Sequence, residues 1–170
     1  MTKKNKISMY RQPVILCSLC IFLFTVPVLF AQQQAGRQTT AAYEMEMLLN
    51  ASEITYGQAA RFILEASDTA VFTNTDEAFR YLTENNWVSE KISADQTARL
   101  DVVSGIFMKA FDLKGGIFYT LTGQPHYAYR ELVYRSHIQG KTEPGTKVSG
   151  EMLLFITSRI LSVNQTGAAQ

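Results

Sequence analysis

Cysteine is nearly missing from this chain. Its 170 residues hold only Cys17 and Cys20, and both fall inside the apolar run Val14–Phe30. If that run is removed on export, the remaining chain has no thiol, which excludes disulfides, thiol catalysis and cysteine-based metal sites. Leu16 and Leu19 precede the two cysteines, where a lipid-anchored protein needs a small residue. Histidine is as scarce. His126 and His137 are eleven positions apart, too far along a helix to share a metal ion, and no third ligand cluster accompanies them. Gly115-Gly116 has no Gly-Lys-Ser/Thr behind it, so a phosphate loop is not expected. No nucleophile is placed beside a base in sequence. These absences predict no enzyme, no metal and no cofactor.

A dominant charge is lacking too. Sixteen basic residues face fifteen acidic ones. Without Lys3, Lys4, Lys6 and Arg11, twelve face fifteen, net −3. A mildly acidic domain is a poor candidate for nucleic-acid binding.

What is present begins with those four cations, followed by the run Val14–Phe30 and then Ala31 and Gln32. Basic, apolar and small segments in that order predict a signal peptide over 1–31, and so export to the periplasm or cell envelope. The rival reading is an uncleaved anchor, since seventeen residues interrupted by Pro27 lie at the short end of a spanning helix. Contact with a membrane is expected only through that segment. Residues 32–42 are small and polar, a flexible linker. One domain over 43–163 follows, then a disordered tail over 164–170.

The stretch His126–Glu151 organises the domain. Pro125 suits a first helical turn, and Ala128, Tyr129, Leu132 and Val133 make one apolar stripe. Gly140 is the expected stop, Pro144-Gly145 a turn, and Ser149 the cap of a second helix with Glu151 in its first turn. Ala78, Phe79, Arg80 and Leu82 repeat Ala128, Tyr129, Arg130 and Leu132 at an offset of fifty. Trp87-Val88 then falls opposite His137-Ile138, and Leu100-Asp101 opposite Val148-Ser149 at an offset of forty-eight. Ile54–Gln58 is a further helix start, with Thr55 and Gln58 a capping box. One partial and two full helical units are expected.

The remaining elements follow from periodicity. Helices are expected over 43–49, Tyr56–Ser67 (Ala59, Phe62, Ile63 and Ala66 inward), Thr75–Asn85 and Asp101–Phe111 (Val103, Ile106, Phe107 and Ala110 inward). Asn74 with Glu77 should cap the second of the long ones, and Asn85-Asn86 should close it. Ile117–Leu121 is open between helix and strand, helix being favoured because nothing pairs with a strand. The last helix is expected over Gly150–Ser162. Leu132, Phe107 and Phe155 are the chosen core residues in an all-α fold.

One helix face offers chemistry. Tyr127, Arg130, Tyr134 and His137 recur at i, i+3, i+7 and i+10, with Arg80 and Trp87 at the equivalent places upstream. Arginine with aromatic rings can stack on and hydrogen-bond sugars or carboxylates. The plainer possibility is that these faces pack against neighbouring units. Glu131 and Glu151 are the carboxylates a glycan-cleaving enzyme would use. A structural subunit of a larger envelope complex is a third possibility.

These residues resemble S-layer homology repeats. His126-Tyr127-Ala128, Ile138-Gln139-Gly140, Pro144 and Val148-Ser149-Gly150-Glu151 stand where that family has a His-Trp-Ala-type helix, a Gly-Ile-Ile-x-Gly-type stop, a proline turn and a Val-Thr-Arg-Ala-Glu-type helix. The resemblance covers one unit well, 76–111 fairly and 44–67 in part. The run also resembles small secreted spirochaete proteins of unknown function. The likeness implies a helical envelope module, and in the family an arginine after the second-helix cap contacts the cell-wall polymer. Here those places read Tyr56, Val102 and Gly150. The expected partner is therefore an envelope protein or glycan, reached through the Arg130/Tyr134 face, with a protein favoured.

Overall fold

The computed structural model describes residues 43–167, with side chains as far as Val163. The expected signal peptide and linker, and residues 168–170 of the tail, lie outside the described residues. The chain divides into two compact units, Met1–Met45 and Glu46–Gln170, and the second holds the whole described core. A short helix, α1, covers 43–49. Six more follow: α2 (Tyr56–Ala66), α3 (Thr75–Glu84), α4 (Leu100–Ala110), α5 (Ile117–Thr122), α6 (Pro125–Tyr134) and α7 (Gly150–Gly167). Among the described residues there is no strand, only the isolated bridges Thr55–Thr97 and Arg99–Lys147. The fold is all-α.

Local chemistry sets the helix starts. Thr55 and Gln58 form the expected capping box, Asn74 accepts from Asp76 N–H at 2.8 Å, and Ser149 accepts from Met152 N–H at 3.1 Å. Each bond satisfies a first-turn donor that the helix itself leaves open. Pro125 occupies the first turn of α6 as expected.

Helix ends differ from the expectation at α6 and α7. Ser136 takes the left-handed conformation (φ 61°) and ends α6 at Tyr134, so Gly140 lies beyond the helix and is not its stop. At the other end of the chain α7 runs to Gly167, past the expected Ser162.

A ring of backbone hydrogen bonds joins the units. Ile54 N–H donates to Val148 O (2.9 Å), Val148 N–H to Ala98 O (2.9 Å), and Ala98 N–H to Ile54 O (2.8 Å). All three residues are buried, so these bonds satisfy polar groups that water cannot reach. Each stands two places before a helix: α2, α4 or α7. The ring corrects the sequence register. Ala98 is the counterpart of Val148, so the offset is fifty throughout, not forty-eight. Flanking bonds repeat with their acceptors at that spacing and their donors forty-four apart: Tyr56 N–H to Gln96 O matches Leu100 N–H to Thr146 O, and Gly57 N–H to Ala94 O matches Asp101 N–H to Pro144 O.

α4 is the central helix, buried on nearly every side from Leu100 to Met108. It packs on α2 and α6, while α2 also meets α3 and α7. Phe107 and Leu132 are fully buried as expected, but Phe155 is 53% exposed and Val133 41%. On α7 the inward line is Leu153, Ile156 and Ile160, and Phe155 lies about 200° from Leu153 at 100° per residue. On α6 the stripe is Ala128, Tyr129 and Leu132, with Val133 at its solvent edge.

Candidate functional site

The start of α4 shapes a concave surface. Arg99 holds the N-cap place without a capping side-chain bond. Its backbone N–H donates to the Tyr56 hydroxyl at 3.2 Å, and its guanidinium bonds Asp101 Oδ2 at 2.8 Å. Asp101 Oδ1 in turn accepts from Val102 N–H at 2.8 Å, which places a carboxylate at the positive helix end. Burial raises the Tyr56 phenol above its ordinary pKa. The Asp101 carboxylate pushes the same way, while the Arg99 N–H bond and charge oppose both.

Two adjoining hollows of about 380 and 510 Å³ make one groove, sharing Ile92, Val102 and Pro125. The first is edged by Gln96, Arg99, Gln124 and His126. The second is edged by Trp87, Lys91, Gly105 and Lys109. Lys109 Nζ is anchored to Asn86 O at 2.8 Å, and burial lowers its pKa. Gly105 leaves α4 bare where Pro125 crosses it. An apolar floor with the mixed polar groups of Gln96, Arg99, Asp101 and His126 at one end and of Glu90, Lys91 and Lys109 at the other suits an extended chain. Apolar contact holds such a chain, and the polar ends fix its direction.

The residues singled out in the sequence separate in space. Trp87 lines the groove, its ring edge-on to Tyr81 at 5.9 Å. Arg80, Arg130 and Tyr134 are exposed on α3 and α6, Tyr134 at 87%. Tyr127 is half-buried, with Phe118 of α5 stacked on it at 5.6 Å and 18°. His137 is not on the α6 face at all: after the left-handed turn at Ser136 it enters the core, 4% exposed. There burial lowers its pKa, with the Arg135 and Arg159 charges acting the same way. Arg159 also donates to its carbonyl at 3.1 Å. The four-residue face is thus reduced to Arg130 and Tyr134. Of the two carboxylates considered for catalysis, Glu131 lies against Gly116 and Glu151 is exposed on α7; neither lines the groove.

Sequence reasoning missed Arg99, Gln96 and Lys109. The signal was there for Arg99. Holding the offset at fifty places it opposite Ser149.

No helix among the described residues is long and apolar enough to cross a membrane, and no group of three metal-ligating side chains occurs among them. Comparison with family models, curated proteins and solved structures finds no match to this chain.

Proposed function

We propose that this chain is an exported, non-enzymatic binding or scaffolding module of the cell envelope, and that an envelope protein lays an extended segment along the groove. The observation that carries this reading is the groove itself, whose apolar floor of Ile92, Val102 and Pro125 runs between polar ends. Export is supported by the order of residues 3–32. The test is a photo-crosslinking side chain at Ile92 in the full chain, activated in native envelope, beside one at Tyr134. A defined protein adduct from position 92 supports the reading. Adducts from 134 alone return the contact to the Arg130/Tyr134 face, and none from either removes the binding role. The envelope-fraction protein should have an intact mass lacking residues 1–31; a full-length mass there would favour the anchor.

One observation favours a second reading, a cell-wall polymer anchor of the S-layer homology type. The corrected register sets a cation, Arg99, at the cap of α4, one place before the family's arginine position, and on the groove edge.

A further inference from the structure

The interval between α2 and α3 is residues 67–74, and that between α4 and α6 is residues 111–124. The second is six residues longer, which is the length of α5. Asp68 and Asp112, one residue past the caps of α2 and α4, share a left-handed backbone (φ 54° and 48°), so the two connections start alike before the longer one diverges. α5 is therefore an addition to a connection that the earlier unit makes without it. It buries no residue. Ile117, Phe118 and Leu121 are 75%, 67% and 77% exposed, between Gly115-Gly116 and a left-handed Gly123 (φ 61°). Tyr119 turns inward, half-buried among core residues, and the Phe118 ring lies with one face on Tyr127 of α6.

Charge gathers at the same place. Residues 111–135, which carry α5 and α6, hold three basic side chains (Lys114, Arg130 and Arg135) and two acidic ones (Asp112 and Glu131), Glu131 lying against Gly116. The rest of 43–167 holds eight basic and thirteen acidic. Lys114 immediately precedes the glycine pair, and the Arg135 guanidinium bonds its carbonyl. Arg130 and Tyr134 are exposed on α6, the helix on which α5 packs.

We propose that α5 is a lipid-surface anchor: Ile117, Phe118 and Leu121 enter the acyl boundary of an anionic bilayer, while Lys114, Arg130 and Arg135 meet the headgroup phosphates. A small apolar tip ringed by cations and tyrosines suits a deformable interface with an apolar interior and an anionic, wet surface. A protein partner would ask for about 800 Å² of complementary surface on each side, far more than three side chains provide. The charge split also orients the domain, because the acidic remainder is repelled from the same bilayer. The anchor does not depend on what occupies the groove.

The test reads position 118 in the full chain, and Trp87 of the unmodified chain controls for tethering of the domain to lipid through residues 1–42. Phe118→Trp is combined with Trp87→Phe and mixed with vesicles of brominated-chain phosphatidylcholine, with or without phosphatidylglycerol. The new indole should shift to the blue and be quenched on the anionic vesicles only, while Trp87 of the unmodified chain is not quenched. Lys114→Gln and Arg130→Gln should each lower the insertion equilibrium about fivefold. Leu121→Asp should abolish quenching with an unchanged circular dichroism spectrum, since Leu121 is 77% exposed. An unquenched indole on anionic vesicles, equal quenching on neutral ones, or indifference to Leu121→Asp overturns the proposal. So does a protein rather than a lipid adduct from a photo-crosslinker at position 118 in native envelope.

Discussion

Asn86 and Ser136 stand fifty positions apart and hold the same left-handed backbone, φ 56° and 61°. Each lies one residue past a helix C-cap and turns the chain back to the core: Trp87 N–H reaches Leu82 O at 2.7 Å, and His137 N–H reaches Leu132 O at 2.9 Å. Asparagine visits this region more readily than serine does, and glycine does so freely. Ser136→Gly should therefore stabilise the domain by ~0.5–1 kcal/mol, and Ser136→Val should cost ~1–2 kcal/mol. Urea midpoints of the two variants against the parent check both signs.

Leu132 and Phe155 were equal core choices by sequence and are unequal in the fold. Leu132 is fully buried, whereas Phe155 is 53% exposed, with the Arg159 guanidinium 5.8 Å from its ring centre. Leu132→Ala should cost ~2–5 kcal/mol, and Phe155→Ala less than ~1 kcal/mol. Thermal unfolding separates them.

Sequence periodicity found most helices because each needs an inward stripe and a start signal that few residue types supply. Thr55, Asn74, Pro125 and Ser149 were legible for that reason. Ser136 was not, since nothing in its side chain announces a left-handed residue, and the neighbouring Gly140 offered a better-looking stop. That one misread boundary carried His137 onto a surface face when it belongs to the core. The groove escaped notice for another reason: Arg99, Trp87 and Pro125 lie on three separate segments that meet only once α6 packs on α4 and Lys109 of α4 bonds Asn86 O. The added helix α5 was legible as a helix but not as an addition, because that requires comparing two connection lengths once both helix pairs are placed.

His137 gives the domain a pH dependence of known sign. Its native pKa lies below the ordinary value through burial and the nearby Arg135 and Arg159 charges, so the unfolded chain binds the proton more readily. The neutral histidine's contribution is complete above about pH 6.5 and is lost as pH falls from there toward the native pKa. Urea unfolding between about pH 7 and 5 should show stability falling with acid. His137→Gln should flatten that slope whatever it does to absolute stability; an unchanged slope would assign the effect to other groups.

Deleting Ile117–Thr122 should leave a folded domain. The earlier unit joins α2 to α3 with eight residues, 67–74, so the shortened connection from α4 to α6 has a working precedent in the same chain. The loss is the half-buried Tyr119 ring and the Phe118 stack on Tyr127, and the cost should be smaller than that of Leu132→Ala. A deletion variant that fails to fold, or melts below Leu132→Ala, would show that α5 supports the fold.

Binding to purified sacculi should be weak at any salt. Arg99 faces the groove, yet Asp101, whose side chain is only 13% exposed, places Oδ2 2.8 Å from its guanidinium, so the cation meets a ligand already partnered. Residues 43–167 carry eleven basic and fifteen acidic side chains, and that excess repels an anionic polymer over about a Debye length, ~8 Å at physiological salt. Asp101→Asn removes the carboxylate charge and should increase pelleting of the full chain at low salt, an increase that Arg99→Ala in the same background should cancel. If instead the unmodified chain pellets saturably and loses this with salt and with Arg99→Ala, Arg99 contacts the polymer in the native protein. The groove would then belong to a glycan and not to a protein.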